Sequence, residues 1–299
     1  MANQAITGRS DWRALYPFPS RWLALPEGRM HYVDVGPEQA SSDDTLLFVH
    51  GNPTWSFHWR ELMKRLRGDY RCVAVDHLGC GLSDKPLRTF RLADRIQHLA
   101  RLVDELKLDR MTLVAQDWGG AIGLGTLLAR PERFRRIVLF NTGAFPPWFV
   151  PWRITICRTP VLGRLAVQGC SLFSRAALRM TLARGRLDPA VAAGYLAPYD
   201  SWSHRRAVYD FVADIPRSPR HPTWQTLAEI EAGLPSAAEL PILLVWGMQD
   251  WCFTPECLEK FEAIWPLAEV HRLPDTGHWV VEDAPEESQQ FLADFLART

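Results

Sequence analysis

Short apolar runs alternate with longer stretches of helical spacing along most of the chain. Gly28 to Val35 alternates in the manner of a strand, and the polar stretch from Pro37 to Asp44 reads as a loop. Thr45 to Val49 and Cys72 to Val75 are brief apolar runs closed by polar or glycine residues, which is how strands buried on both faces look. Between them, Trp59 to Leu66 has helical spacing. Arg91 to Leu106 predicts a longer amphipathic helix, with Leu92, Ile96, Leu99, Leu102, Val103 and Leu106 on one side. Met111 to Ala115 and Arg136 to Phe140 supply two further strands. Such alternation predicts an α/β fold built on a mostly parallel, doubly wound sheet.

The rhythm then breaks. From Pro146 to about Ala238 there are helical segments but no strand-like run, and prolines cluster at Pro146, Pro147 and Pro151 and again at Pro216, Pro219 and Pro222. Strands return with Pro241 to Trp246 and Ala268 to Leu273, and a last helix runs from about Pro285 to Ala297. The expected organisation is a core domain from residues 1–145 and 239–299, with an inserted helical cap over 146–238.

Composition narrows the function classes. With 34 basic and 34 acidic residues the formal charge is zero, so no overall field favours nucleic acid. The six cysteines show no CxxC pairing, which points to reduced thiols and a cytoplasmic setting. Met1 to Pro19 lacks an apolar signal core, and the uncharged stretch Ile137 to Trp152 is broken by glycine and proline, so neither a recognisable export signal nor a membrane span is expected. No His-x-x-x-His or cysteine cluster suggests a metal, and no cofactor is expected.

The chemistry gathers just after the strands, where α/β sheets bind their ligands. The apolar run Met111 to Val114 leads into Gln116-Asp117-Trp118-Gly119-Gly120 and a small-residue helix start. That is the pattern of a nucleophile elbow, whose neighbours must be small because backbones pack closely there. The central residue is a carboxylate, however, so the attack it suits is on an alkyl carbon and leaves an ester. Asp117 could also serve simply as a helix N-cap. Further candidates lower that alternative. His50-Gly51-Asn52-Pro53 follows the first buried strand, Asp250 follows Ile242 to Trp246, and His278 lies in Pro274-Asp275-Thr276-Gly277-His278-Trp279. Chain order is thus nucleophile, acid, base. His278 suits a general base whose tautomer Asp250 fixes. The backbone N–H groups of Asn52 and Trp118 could form an oxyanion hole, and their side-chain N–H groups could hold an anionic leaving group.

These motifs, with Asp76-His77-Leu78-Gly79-Cys80-Gly81-Leu82-Ser83, resemble the haloalkane dehalogenases of the α/β-hydrolase superfamily over nearly the whole chain outside the cap. The resemblance implies an α/β-hydrolase fold, with Asp117, His278 and Asp250 as the catalytic residues and Asn52 and Trp118 as the halide-binding pair. Asn141 stands where one branch of the family carries a catalytic glutamate, which places the chain nearer the branch called subfamily III. That branch also resembles the β-lactone decarboxylases of long-chain olefin biosynthesis. Arg153-Ile154-Thr155-Ile156-Cys157-Arg158 fits them at least as well, and the motifs do not separate the two.

In the dehalogenase reading, water activated by His278 hydrolyses the alkyl ester on Asp117; in the lactone reading, the ring-opened ester fragments to an alkene. Epoxide hydrolases are a third reading, because Tyr195, Tyr199 and Tyr209 could supply the proton that an alkoxide leaving group needs. All three imply a small apolar substrate. Between Arg153 and Arg186 lie seven arginines and no acidic residue, interleaved with aliphatic side chains. Such a stretch suits a solvated cap face, or a contact surface for a protein, a membrane or a long-chain substrate.

Overall fold

The computed structural model describes residues 12–37 and 44–299. The export reading of the N-terminus and most of the Pro37–Asp44 loop therefore fall outside the described residues. One eight-stranded sheet organises the rest, in the order β1-β2-β4-β3-β5-β6-β7-β8. Its strands are β1 (Arg21–Leu25), β2 (Gly28–Val35), β3 (Thr45–Val49), β4 (Arg71–Val75), β5 (Met111–Asp117), β6 (Phe134–Thr142), β7 (Ile242–Gly247) and β8 (Glu269–Leu273). β2 runs antiparallel to β1 and β4, and all the other pairs are parallel.

The strand-to-strand period of two sorts the core onto both faces. Leu47 and Val49 join one cluster with Leu113, Ala115 and Leu139, whereas Leu46 and Phe48 join the other with Val114, Val138 and Leu243. Helices cover both. α2 (Leu92–Glu105) and α3 (Trp118–Ala129) bury Leu99, Leu102 and Ile122 in the first cluster, while α1 (Arg60–Leu66) delivers Leu62 and Met63 to the second. Between β6 and β7 stand α4 (Trp152–Cys157), α5 (Leu162–Arg164) with a π-helical turn Leu165–Gly169, α6 (Leu172–Met180), α7 (Pro189–Leu196), α8 (Arg206–Asp214) and α9 (Pro222–Gly233). No described residue between β6 and β7 is in a strand, and α9 packs on α2 and α3. The chain closes with α10 (Pro255–Ile264), α11 (Val280–Asp283) and α12 (Pro285–Arg298). No helix among the described residues is long and apolar enough to cross a membrane.

Two differences from the pattern reading have clear causes. β1 went unanticipated because its hairpin turns through Pro26-Glu27, which lacks the Asn-Gly or Asp-Gly chemistry that marks such turns, and because its side chains are half exposed. β6 extends two residues past Phe140. There the Asn141 side chain imitates a ladder partner, accepting from Gly247 N at 2.7 Å and donating to Gly247 O at 3.0 Å.

Candidate active site

Four strand ends meet at one point. β5 ends at Asp117, whose backbone has φ 55° and ψ −132°, a conformation L-residues rarely adopt and one that points the side chain up out of the turn. The crowding explains the neighbours. A Cβ on Gly51 would collide with the Asp117 carboxylate, and one on Gly119 would collide with the Val49 carbonyl. The loop after β3 and the start of α3 therefore tolerate only glycine at these places.

The carboxylate is buried, and its two oxygens have different partners. Oδ1 accepts the backbone N–H of Asn52 at 2.6 Å, and Oδ2 lies 3.6 Å from His278 Nε2. His278 Nδ1 in turn sits 2.7 Å from Asp250 Oδ2. Asp250 is itself held, by Asn141 Nδ2 on Oδ2 at 3.0 Å and by the Cys252 N–H on Oδ1 at 2.7 Å. The three residues expected to act together thus form one line, Asp117 to His278 to Asp250. Thr142 Oγ1 donates to the Asp117 carbonyl and anchors the elbow to β6.

Charge decides the resting state of the imidazole. Burial opposes protonation of His278, but the Asp250 charge and the hydrogen bonds to Asp117 and Asp250 outweigh it and raise its pKa to about 10. His278 at neutral pH is therefore an imidazolium between two carboxylates. A histidine pKa raised above the unfolded value near 6.5 adds stability that is complete below about pH 6.5 and is lost as pH rises through 10. We expect urea unfolding at pH 6 and pH 10 to show the wild type losing roughly 3–5 kcal/mol more than His278→Gln across that window. Equal losses in the two proteins would contradict the assignment.

Asn52 and Trp118 stand on either side of the carboxylate and line the same cavity. The Asn52 arrangement differs in detail from the expectation. Its backbone N–H already serves Asp117, one hydrogen of its Nδ2 goes to the Val208 carbonyl at 3.2 Å, and only the second remains for a ligand. Val208 belongs to α8, so that helix fixes this amide. Trp118 packs against Phe211, also of α8, with ring centroids 5.6 Å apart. The backbone N–H of Trp118 opens α3, where helix N–H groups lack an internal partner.

Above the carboxylate lies a cavity of about 290 Å³, walled mainly by Phe145, Trp148, Phe149, Ile154, Phe173, Val212, Leu227 and Phe253. No tyrosine lines it. Tyr195 OH is engaged with His58 at 2.7 Å and Glu282 at 2.6 Å, and Tyr199 OH donates to the Thr54 carbonyl at 3.1 Å. The tyrosine donors expected of an epoxide hydrolase are therefore not at the carboxylate.

Two supporting networks lie behind the site, and the first carries no obvious sequence signal. Gln116 Nε2 donates to the His278 carbonyl at 2.5 Å and lies beside His58, which meets Tyr195 of α7 and, through it, the Arg60–Glu282 ion pair. These bonds join residues up to 222 positions apart, so no local pattern could reveal them. The Asp76-His77 motif is likewise structural. Asp76 accepts from the backbone of Ser56 and Leu82 and pairs with His31 at 2.8 Å, tying the loop after β3 to the loop after β4. Burial works against its ionisation, but the His31 charge and hydrogen bond prevail and hold its carboxyl down to about 2.

The chain is similar in sequence and fold to known proteins. A model of the alpha/beta hydrolase fold matches residues 44–158 and 167–285. A cis-3-alkyl-4-alkyloxetan-2-one decarboxylase of Shewanella oneidensis is 37% identical over 294 residues, covering 95% of this chain and 90% of that protein. Haloalkane dehalogenase 2 of Mycobacterium tuberculosis is 35% identical, covering 91% and 93% respectively. Among solved structures, a putative ancestral haloalkane dehalogenase superposes with a TM-score of 0.84 at 28% identity, covering 93% of this chain and 98% of its own. The haloalkane dehalogenase of Agrobacterium tumefaciens gives 0.84 at 25% identity, covering 94% and 96%.

Proposed function

The chain belongs to the α/β hydrolase family of enzymes, and from that premise we propose that Asp117 displaces an anionic leaving group from an sp³ carbon, with a cis-3,4-dialkyl β-lactone as substrate. One observation carries the reaction class. Asp117 is aimed into a mainly apolar cavity and flanked there by Asn52 and Trp118, whose N–H groups suit a departing anion. Residues 146–238 would serve as the cap that closes this cavity over the core formed by 1–145 and 239–299.

Each step balances without water. An Asp117 oxygen attacks the ring carbon that bears the lactone oxygen, inverting it, and the C–O bond breaks toward the new carboxylate, which the Asn52 and Trp118 side chains receive. The ester then fragments. The carbon–carboxylate bond breaks, its electron pair forms the alkene, carbon dioxide leaves, and Asp117 regains its electron pair. Asn52 N–H on Oδ1 and the His278 imidazolium near Oδ2 stabilise that returning charge. Inversion followed by anti elimination turns a cis lactone into a cis alkene.

Haloalkane dehalogenation is the second reading, favoured by the Asn52 and Trp118 pair and by the relatives at 35% identity. There the ester cannot fragment and must be hydrolysed. Esterification removes one of the two negative charges that hold the proton on His278, so that proton can pass to solvent, and the neutral imidazole then takes a proton from the attacking water. The oxyanion would fall to the backbone N–H groups of Asn52 and Trp118.

The walls favour the lactone. The cavity reaches exposed side chains at Trp148, Phe149, Ile156 and Leu172, more apolar length than a small haloalkane needs. We expect kcat/KM to rise by up to about fourfold per added methylene until the alkyl arms outgrow the cavity, since each buried CH₂ contributes about 0.8 kcal/mol. Steady-state kinetics on a chain-length series would check this, and a flat series would count against a long-chain substrate. Incubation with a cis-3,4-dialkyl β-lactone should yield the cis alkene and an equal amount of carbon dioxide. Recovery of intact lactone, alongside sustained bromide release from 1-bromohexane, would transfer the assignment to dehalogenation.

A further inference from the structure

The cavity opens onto a ridge that folding leaves bare. Trp148, Phe149, Trp152, Ile156, Leu162 and Leu172 are each more than half exposed, and four of them also line the cavity. Trp152 and Ile156 stand one turn apart on α4, and Leu162 and Leu165 stand one turn apart where α5 passes into the π-helical turn. Exposed apolar side chains scattered singly need no explanation, but a contiguous set around a cavity mouth does.

The segment that carries the ridge holds charge of one sign. No acidic residue occurs from Arg133 to Leu187, although the whole chain is neutral. Arg164, Arg175 and Arg179 are exposed, and Leu172, Arg175 and Arg179 recur at helical spacing along α6. Arg153 lies over the rings of Trp152 and Trp251, which keeps a guanidinium at the edge of the apolar surface. Three aromatic residues and several aliphatic ones, with exposed arginines on the same segment, have the composition of a surface that settles into the headgroup region of a bilayer. The exposed arginines of a segment without acidic residues select the lipid, because an anionic leaflet attracts them and a neutral one does not.

We propose that this face docks on an anionic phospholipid membrane, so that the cavity mouth meets the acyl region and a long-chain substrate enters without crossing water. This builds on the long-chain reading above. It would also explain why the mouth remains apolar where a water-soluble substrate would call for a polar rim. Trp148 and Phe149 would sit nearest the acyl chains, while Arg175 and Arg179 would meet the phosphates.

The test uses the full chain and no substrate, so its outcome is separate from that of the lactone assignment. Co-sedimentation is measured with vesicles of phosphatidylglycerol mixed equally with phosphatidylcholine and with vesicles of phosphatidylcholine alone. The expected result is binding to the mixed vesicles that exceeds the neutral ones about tenfold and falls away in high salt. Arg175→Glu/Arg179→Glu should lose about tenfold of that binding, and Leu162→Glu/Trp152→Glu should lose it as well. These four side chains lie outside the cavity lining, so both variants should keep wild-type turnover of a short, water-soluble substrate. Equal binding to both vesicle types, or none, would overturn the proposal. So would a wild-type dimer that Leu162→Glu/Trp152→Glu converts to monomer, which would give the ridge to a second copy of the chain.

Discussion

Asp117→Ala is expected to lower turnover of any substrate by about 10⁴-fold or more, the scale on which loss of a covalent nucleophile acts. The size follows from the geometry. In the proposed reaction Asn52 and Trp118 polarise the leaving group, and among the described residues no other carboxylate lines the cavity to accept the carbon. Asp117→Asn is the companion variant. It keeps an oxygen to accept the Asn52 N–H and nearly the same shape at the strained elbow, so it should fold, yet its amide is a poor nucleophile. Steady-state kinetics together with thermal unfolding check both variants. Substantial activity in either would remove Asp117 from the reaction.

His278→Ala should separate the two chemistries. With a haloalkane the ester on Asp117 forms normally but cannot be hydrolysed, so we expect one equivalent of halide per protein and then no further release, a fall of about 10⁴-fold in the steady state. With the lactone the ester fragments by itself. Only the positive charge 3.6 Å from Oδ2 is lost, and turnover should fall by about 10²–10³-fold, as for removal of one preorganised charge stabiliser. A stopped-flow halide assay and alkene quantification on the same variant provide the comparison. Equal losses on both substrates would mean that the lactone ester, too, is resolved by water.

Much of this was legible because it is local. Buried strands such as Thr45–Val49 read as apolar runs, and the elbow at Asp117 announces itself through Gly119 and Gly120, whose places leave no room for a Cβ. His278 and Asp250 could be placed because residues just after parallel strands converge. What stayed hidden depends on side chains reaching across the fold. Asn141 read as a substituted position, and its work in holding both Gly247 and Asp250 appears only when β6 and β7 lie side by side. The same holds for Val208, which takes one hydrogen of the Asn52 amide, and for Tyr195, whose hydroxyl goes to His58 and Glu282 and not to the cavity. The arginine-rich stretch was visible as composition. Its division into Arg184, paired with Asp275 and Glu287, and the exposed Arg175 and Arg179 needed the structure.

Both chemistries rest on one event, the transfer of an alkyl carbon to Asp117, and a haloalkane makes it visible because its ester cannot fragment. The decisive measurement is the intact mass and peptide map of His278→Ala after exposure to 1-bromohexane. A gain of one hexyl group, located on Asp117 and absent from His278→Ala/Asp117→Asn, is the predicted result. An unmodified protein, or a hexyl group on any other residue, would contradict it.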